Sequence, residues 1–437
     1  MPDGQLGALT LALLLILGGA HGLGYLFARW RQPRVIGEIL AGILLGPSVF
    51  GRIAPSASAL LFGEDKTSPA RVVLGFLYSL GLLLLLFASG SEVRNVLGSR
   101  ETRRQTWWLL GIGTSLPFAI ILAFGAWLPL DPLMGAAHQR TSLLLVLAIA
   151  VAVTSIPVIS KIFADLGILE SRFAGLILGM AMLEDILLWG VLGVATSLAA
   201  VRTAGVDPMV NVTRHLVIST LYIGLGLTLA PKWLTKLGRS RRNVLALGSP
   251  VGWIVVVIFA YTAAAAAAGV NVVFGAFLAG FGVLGGFKGT ERARFAEPVG
   301  ALGKVSFGAF VPVYFAIVGY RLDLTRTFSL GMLVAFLVGS SAIRLLSMGL
   351  AARLARLRGL DIANVAITAN ARGGPGIVLA SVAFDAGIIS PAFFTTLVLT
   401  AILTSQATGF WLELVLRKGL PLLSSAPSAG EVPAPAE

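Results

Sequence analysis

Residues 150–160 read AVAVTSIPVIS, a proline set in the middle of a run otherwise fit for an apolar helix. Pro157 removes a backbone donor and its ring crowds the preceding turn. Thr154 and Ser155 stand just ahead of it, and the run goes on to DLGIL at 165–169. A second stretch of the same kind, TANARGGPGIV (368–378), carries Arg372, Gly373, Gly374 and Pro375 and goes on to DAGII at 385–389. Gly-Gly loosens a helix where proline breaks it. Two apolar segments broken at matching places point to an internal repeat.

Other pairs keep the same order. GEILAG (37–42) resembles GAFLAG (275–280), and FASG (87–90) resembles FAIVG (315–319). Crossing a bilayer takes about 17–25 predominantly apolar residues. Such stretches fall at 5–28, 34–51, 69–92, 104–130, 141–164, 170–200, 212–237, 246–267, 269–287, 299–320, 328–356, 360–388 and 392–418. They number thirteen, and the matched pairs lie seven segments apart. An odd offset gives the halves opposite orientation, the arrangement of inverted-repeat transporters. Irregular backbone at membrane depth persists only where protein buries it or where it lines a cavity. The expected fold is all-α and integral to the membrane, with about thirteen transmembrane helices in inverted structural repeats and two discontinuous crossing helices.

Composition agrees. Of the 437 residues, 57% are hydrophobic and 12% charged, against about 25% charged in soluble domains. Mean hydropathy is +0.90. The 52 glycines suit close helix contacts in lipid. Cysteine is absent, which removes disulfide frameworks and thiolate metal sites. His21, His138 and His215 lie far apart, so a zinc enzyme is not indicated. With no nucleophile–base set and no cofactor motif, neither an enzyme nor a cofactor is expected.

The net charge of +13 sits in short loops rather than on a nucleic-acid-binding face. Basic clusters RWRQPR (29–34), RNVLGSRETRR (94–104), KWLTKLGRSRR (232–242), FKGTERAR (287–294) and RLARLR (353–358) occupy one set of loops. The positive-inside rule makes that set cytoplasmic, with the N-terminus outside and the C-terminus inside. The first segment lacks a basic leader and is long, which reads as a retained helix. Residues 419–437, rich in Pro, Ala and Ser, read as a disordered cytoplasmic tail with no soluble regulatory domain after it.

Within GMAMLEDILLWG (179–190) two adjacent carboxylates, Glu184 and Asp185, stand in a run fit for hydrocarbon. A charge near the bilayer centre costs at least ~2.5–3.5 kcal/mol, so two in a row need a reason. Adjacent helical residues point about 100° apart, so both cannot line one cavity equally. One of them can bind an ion while the other pairs with a fixed charge. The candidate partner is Arg344, alone in GSSAIRLLSMG (339–349). A carboxylate withdrawn from water holds a proton or a dehydrated monovalent cation, but not comfortably both. Alternate exposure of such a site to each side would exchange one for the other. Thr154, Ser155 and carbonyls freed at the break can complete the oxygen ligands.

These residues carry a resemblance. VIGEILAGILLGPSVFG (35–51), GAFLAG (275–280), VPVYFAIVGYRLDL (311–324), AVTSIPVISKIFADLG (152–167) and MLEDILL (182–188) resemble the monovalent cation/proton antiporter superfamily. The similar branch holds bacterial sodium/proton antiporters and Kef-type potassium efflux systems, and the likeness covers nearly all of 10–418. It implies a homodimer in the bacterial inner membrane, with lipid and small inorganic cations as partners. It implies dimerisation-side helices in 1–103 and 246–327, core transport helices in 104–200 and 328–418, and a linker helix in 201–245. It also implies that Asp185 binds the sodium or potassium ion and that Glu184 pairs with Arg344. Electrogenic relatives typically have Asp-Asp and Lys where this chain has Glu-Asp and Arg. Arg keeps its charge where a buried Lys can lose it, which favours electroneutral exchange. A Kef-like efflux pathway, a sodium-coupled symporter and a non-transporting sensor are the other readings.

Remaining polar residues have structural expectations. Glu38 is read as making a structural hydrogen bond on the dimer side, and Arg372 as stabilising carbonyl ends of its broken helix. Asp165 and Asp385 are read as capping or loop contacts, with a role in ion entry as the alternative, and Glu92 as pairing with Arg94 or Arg104.

Overall fold

The computed structural model describes residues 3–30, 32–63, 67–92, 100–169, 171–200, 208–285, 287 and 289–424. Apolar sequence closes its backbone hydrogen bonds as helix after helix. The chain opens with α1 (Asp3–Arg29), α2 (Arg34–Leu45), α3 (Pro69–Glu92) and α4 (Arg104–Phe124), with short helices at Phe50–Ile53 and Pro55–Phe62 between α2 and α3. The first broken segment forms α5 (Arg140–Ala152) and α6 (Ile156–Asp165), followed by α7 (Arg172–Ala200) and α8 (Pro208–Thr228). Then come α9 (Pro250–Ala267), α10 (Val272–Val283), α11 (Glu291–Tyr320) and α12 (Leu330–Leu354). The second broken segment forms α13 (Leu360–Thr368) and α14 (Gly373–Asp385), and α15 (Pro391–Arg417) is the last helix. Ser249, Ser329 and Ser390 cap α9, α12 and α15 through their hydroxyls, which answers backbone donors that a helix start leaves open.

Among the described residues, nine helices are long and apolar enough to cross a bilayer. Of the other expected segments, α8 is one helix of 21 residues, and α5 with α6, α10, and α13 with α14 are helical in shorter pieces. One expected span is interrupted and one ends early, each ahead of a proline. The span at 34–51 runs as Arg34–Ile53, but α2 itself stops at Leu45, where Gly46 turns extended ahead of Pro47, and helix resumes at Phe50. The span at 104–130 stops at Phe124, and Leu128 is extended ahead of Pro129. A residue before proline is disfavoured in the helical region.

The inverted repeat is visible in how glycines let backbones touch. A Cβ on Gly42 of α2 would strike the Ala316 carbonyl of α11, and one on Gly280 of α10 would strike the Phe87 carbonyl of α3. In return, Gly319 faces the Ile39 carbonyl and Gly90 the Phe277 carbonyl. The pairs follow the GEILAG/GAFLAG and FASG/FAIVG correspondence once the closing glycines are aligned, Gly42 with Gly280 and Gly319 with Gly90, so α2 packs on α11 as α10 packs on α3. Small residues at such crossings supply the close packing that water cannot drive in lipid. Gly42→Val and Gly280→Val should each lower the melting temperature by roughly 5 °C or more, because backbone cannot step aside. Gly300→Ala, which adds its methyl to open space, should not move it. Thermal melts followed by fluorescence-detected size exclusion check this.

The two broken segments cross at their breaks. The Ser155 N–H donates to the Ala371 carbonyl at 2.7 Å, and the Thr154 hydroxyl to the Ala369 carbonyl at 2.8 Å. Gly373 has φ +37 and lies against Ser155 and Val158, a conformation and closeness that suit glycine. Beyond the crossing, the loop after α4 binds the loop after α14 through Gly135, Ala137 and Ser390 backbone donors. Past α15, Ser424 donates to the Asp361 carboxylate and Leu422 accepts from Asn364, so the chain after the last helix rests on α13.

Candidate functional site

Three elements meet beside the crossing: the middle of α7, the middle of α12 and a π-helical turn, Leu109–Thr114, within α4. Such turns free a carbonyl from the helical ladder and occur often at functional sites. Here the Gly113 carbonyl accepts from Nη1 of Arg344 at 2.9 Å.

Arg344 is fully buried. Its Nη2 donates to both Glu184 carboxylate oxygens, at 2.8 and 3.0 Å, and to the Thr154 hydroxyl at 2.6 Å. Its Nε donates to the Ala369 carbonyl at 3.2 Å. The guanidinium thus ties α7 to the π-turn and to both breaks at once. Glu184 also accepts from the Thr114 hydroxyl at 2.6 Å. A buried ion pair holds only when its lone pairs and protons are satisfied in this way.

Asp185 is as deeply buried, yet it faces elsewhere. Its Oδ2 accepts from the Ser89 hydroxyl of α3 at 3.5 Å. Ser89 in turn lines a cavity of about 500 Å³, together with Glu38, Trp189, Phe315, Gly374 and Pro375. The roughly 100° between neighbours on α7 has split the carboxylates, Glu184 toward Arg344 and Asp185 toward the cavity wall.

The other expected site residues distribute as follows. Thr154 is committed to Arg344 and Ala369, while the Ser155 hydroxyl accepts from the Val158 N–H at 3.4 Å at the start of α6. The side chains of Pro157, Asp165 and Glu92 lie outside the described part. Gly374 and Pro375 reach the cavity. Arg372 is buried and donates to the Ser340 hydroxyl at 2.8 Å and to the Asn370 side-chain carbonyl at 3.4 Å. Its guanidinium therefore meets side chains and the Phe336 ring rather than the carbonyl ends expected for it, because Arg344 already occupies Ala369.

Glu38 differs as well. Among the described residues no hydrogen bond or ion pair engages its carboxylate; Gly24 of α1 lies against its side chain, and it lines the cavity. Asp385 makes the loop contact rather than a cap: it accepts from Tyr78 of α3 at 2.8 Å and from Arg321, in the loop after α11, at 2.7 Å. Thr114, Ser89 and the Gly113 carbonyl were not anticipated. In sequence the first two are hydroxyls that nothing singles out, Thr114 beside Ser115 and Ser89 two before Ser91.

Residues 11–418 match the family profile described as sodium/hydrogen exchanger, transmembrane. The chain belongs to this family. Its members are ion transporters, not enzymes, and the chain is an integral membrane protein. Among similar proteins are cation/H(+) antiporter 18 of Arabidopsis thaliana and Na(+)/H(+) antiporter NhaS4 of Synechocystis sp. The first is 27% identical over 414 residues, 92% of this chain and 48% of its own length. The second is 25% identical over 406 residues, 91% of this chain and 94% of its own. K(+)/H(+) antiporter 1 of Saccharomyces cerevisiae is 26% identical over 87% of this chain and 43% of its own. The chain thus spans about half the length of the plant and yeast relatives. The sodium proton antiporter MjNhaP1 from Methanocaldococcus jannaschii shares the fold, with a TM-score of 0.61 at 15% identity over 95% of this chain and 98% of that one.

Proposed function

We propose that this chain exchanges a monovalent cation, sodium or potassium, for protons by alternating access, with both competing for Asp185. The observation that carries the reading is the split of the carboxylate pair: Arg344 holds Glu184, and Asp185 is left on the cavity side. A single cycling carboxylate beside a fixed Glu–Arg pair gives one-for-one, electroneutral exchange. The proposed ligands beside Asp185 are oxygens of the crossing, the Thr154 and Ser155 region included.

The proposed architecture is thirteen crossings, with the core (104–200 and 328–418) moving against a dimerisation side (1–103 and 246–327). A homodimer in the bacterial inner membrane, N-terminus outside, completes the reading. Its support is the exposed apolar face of α1 (Leu6, Leu11, Leu14) and of α9 (Val256, Phe259).

Alternating access also needs one face shut while the other is open. The cavity lies at the end where α2 begins, with Arg34 and Pro33 at its wall. At the opposite end, where α2 and α11 stop, Asp385 of α14 binds Tyr78 of α3 and Arg321 beyond α11, and Arg321 also stacks on the Tyr78 ring at 4.5 Å. Below that cluster the Tyr314 hydroxyl donates to Ser381 at 3.1 Å. Half-exposed pairs of this kind are worth only about 0–1 kcal/mol each, weak enough to open during a cycle. The cysteine-free chain allows a test. Ser381→Cys should react with an impermeant maleimide several times faster once Asp385→Asn is added; an unchanged rate would remove the cluster as a seal.

The function itself is tested in proteoliposomes with an imposed pH gradient and an entrapped pH dye. Sodium, potassium and lithium are added in turn. At least one should collapse the gradient, at a rate that an imposed membrane potential leaves unchanged. A potential-driven rate would contradict electroneutrality, and no response to any cation would contradict exchange.

A further inference from the structure

The cavity holds one acidic group that the mechanism above does not use. Glu38 sits on α2, half-buried, with its carboxylate at the cavity wall. Ser89, which donates to Asp185, stands on the same wall. The remaining polar side chains there are His21, Tyr25 and Arg34. His21 is engaged, with Nε2 2.8 Å from the Gly308 carbonyl. Arg34, exposed one turn before Glu38, makes no ion pair with it among the described residues. Trp189 adds an indole N–H with no hydrogen-bond partner among the described residues, a donor that cannot bind a cation, and Phe307, Val311 and Phe315 are apolar.

A carboxylate has a cost in such a setting unless something meets it. A buried polar group is ordinarily hydrogen-bonded, and a charge is paired. Glu38 has no hydrogen bond and no close ion pair among the described residues, only the field of the exposed Arg34 one turn earlier, in a space that at about 500 Å³ holds more than ten waters of about 30 Å³ each. A monovalent cation can therefore lie near Glu38 with its hydration shell largely kept. It would surrender that shell only at Asp185, where protein surrounds it. Low-dielectric walls concentrate the field of a single charge inside a cleft.

We infer that Glu38 is a second, transient site for the transported cation, capturing the hydrated ion ahead of Asp185. The inference rests on Asp185 being the exchange site. Glu38 raises the local concentration of cation and does not itself couple cation to proton. Its removal should weaken apparent affinity and leave turnover largely intact.

The experiment is a cation titration of gradient collapse in proteoliposomes, for wild type, Glu38→Gln, Glu38→Asp and Asp185→Asn. For Glu38→Gln the apparent KM should rise about three- to tenfold with maximal rate within about twofold. Glu38→Asp should stay near wild type. The KM difference should shrink when impermeant choline chloride raises the ionic strength to about 0.5 M, because screening replaces the lost attraction. An unchanged KM in Glu38→Gln would overturn the inference while wild-type activity left the exchange reading standing. So would a fall in maximal rate and melting temperature at constant KM, the mark of a structural role. A wild type inert toward every cation, or an Asp185→Asn variant that still exchanges, would instead bring down the underlying reading and this site with it.

Discussion

Asp185→Asn is expected to abolish cation-dependent proton movement while the protein still folds. The amide has nearly the carboxylate's shape and can accept from Ser89 as Asp185 Oδ2 does at 3.5 Å. It cannot take up a proton or offer a full negative charge to a cation. Exchange at the site consists of those two events, so activity should fall at least about 100-fold, a loss of roughly 2.7 kcal/mol of coupling in rate terms. Melting temperature should stay level or rise, since burying a neutral amide costs less than burying a charge. The pH-dye assay and a thermal melt on the same preparation read both. Activity retained above one tenth of wild type would move the exchange site off Asp185.

Arg344→Ala should instead destroy the fold's centre. The substitution removes donors to Glu184, Thr154, Gly113 and Ala369 together. It leaves the Glu184 carboxylate buried with the Thr114 hydroxyl as its remaining donor among the described residues. Breaking a buried pair from one side costs about 3–5 kcal/mol, a large share of any domain's stability. The expected result is little monodisperse protein and a steep fall in melting temperature. Glu184→Gln/Arg344→Ala should recover part of the loss, because no charge is then stranded. Arg344→Lys keeps the charge but lacks the planar fork, so it should fold less stably than wild type and better than the alanine variant. A double variant no better than Arg344→Ala would mean that the carbonyl bonds matter more than the ion pair.

Much of this was legible in the chain because it depends on local rules. Pro157 and the Gly373–Gly374–Pro375 run announce helix breaks, since each disturbs the backbone without help from distant residues. Glu184 and Asp185 had to diverge because neighbours on a helix do. Arg344, alone in its segment, had few acids to choose from. What remained hidden depends on tertiary placement. The Gly113 and Ala369 carbonyls have no side-chain signature, and a π-turn in α4 leaves no mark in composition. The Tyr78–Asp385–Arg321 cluster joins residues from three distant segments. Glu38 lay in a span that reads as structural, and only the cavity behind it changes its meaning. The interruption at Gly46 inside the second span and the early end of the fourth at Phe124 lie ahead of Pro47 and Pro129, the residues that mark them in the sequence.

The central claim is competition at one carboxylate, and the pH dependence of apparent affinity tests it most directly. In proteoliposomes with equal pH on both sides and a small imposed cation gradient, apparent KM for the cation is measured from about pH 5 to 9. If cation and proton exclude each other at Asp185, KM should rise about tenfold for each unit of pH lowered on the acid limb, at constant maximal rate, because each unit multiplies the competing proton tenfold. A KM that is flat across that range, with the maximal rate carrying the pH dependence, would mean the two ions do not share the site.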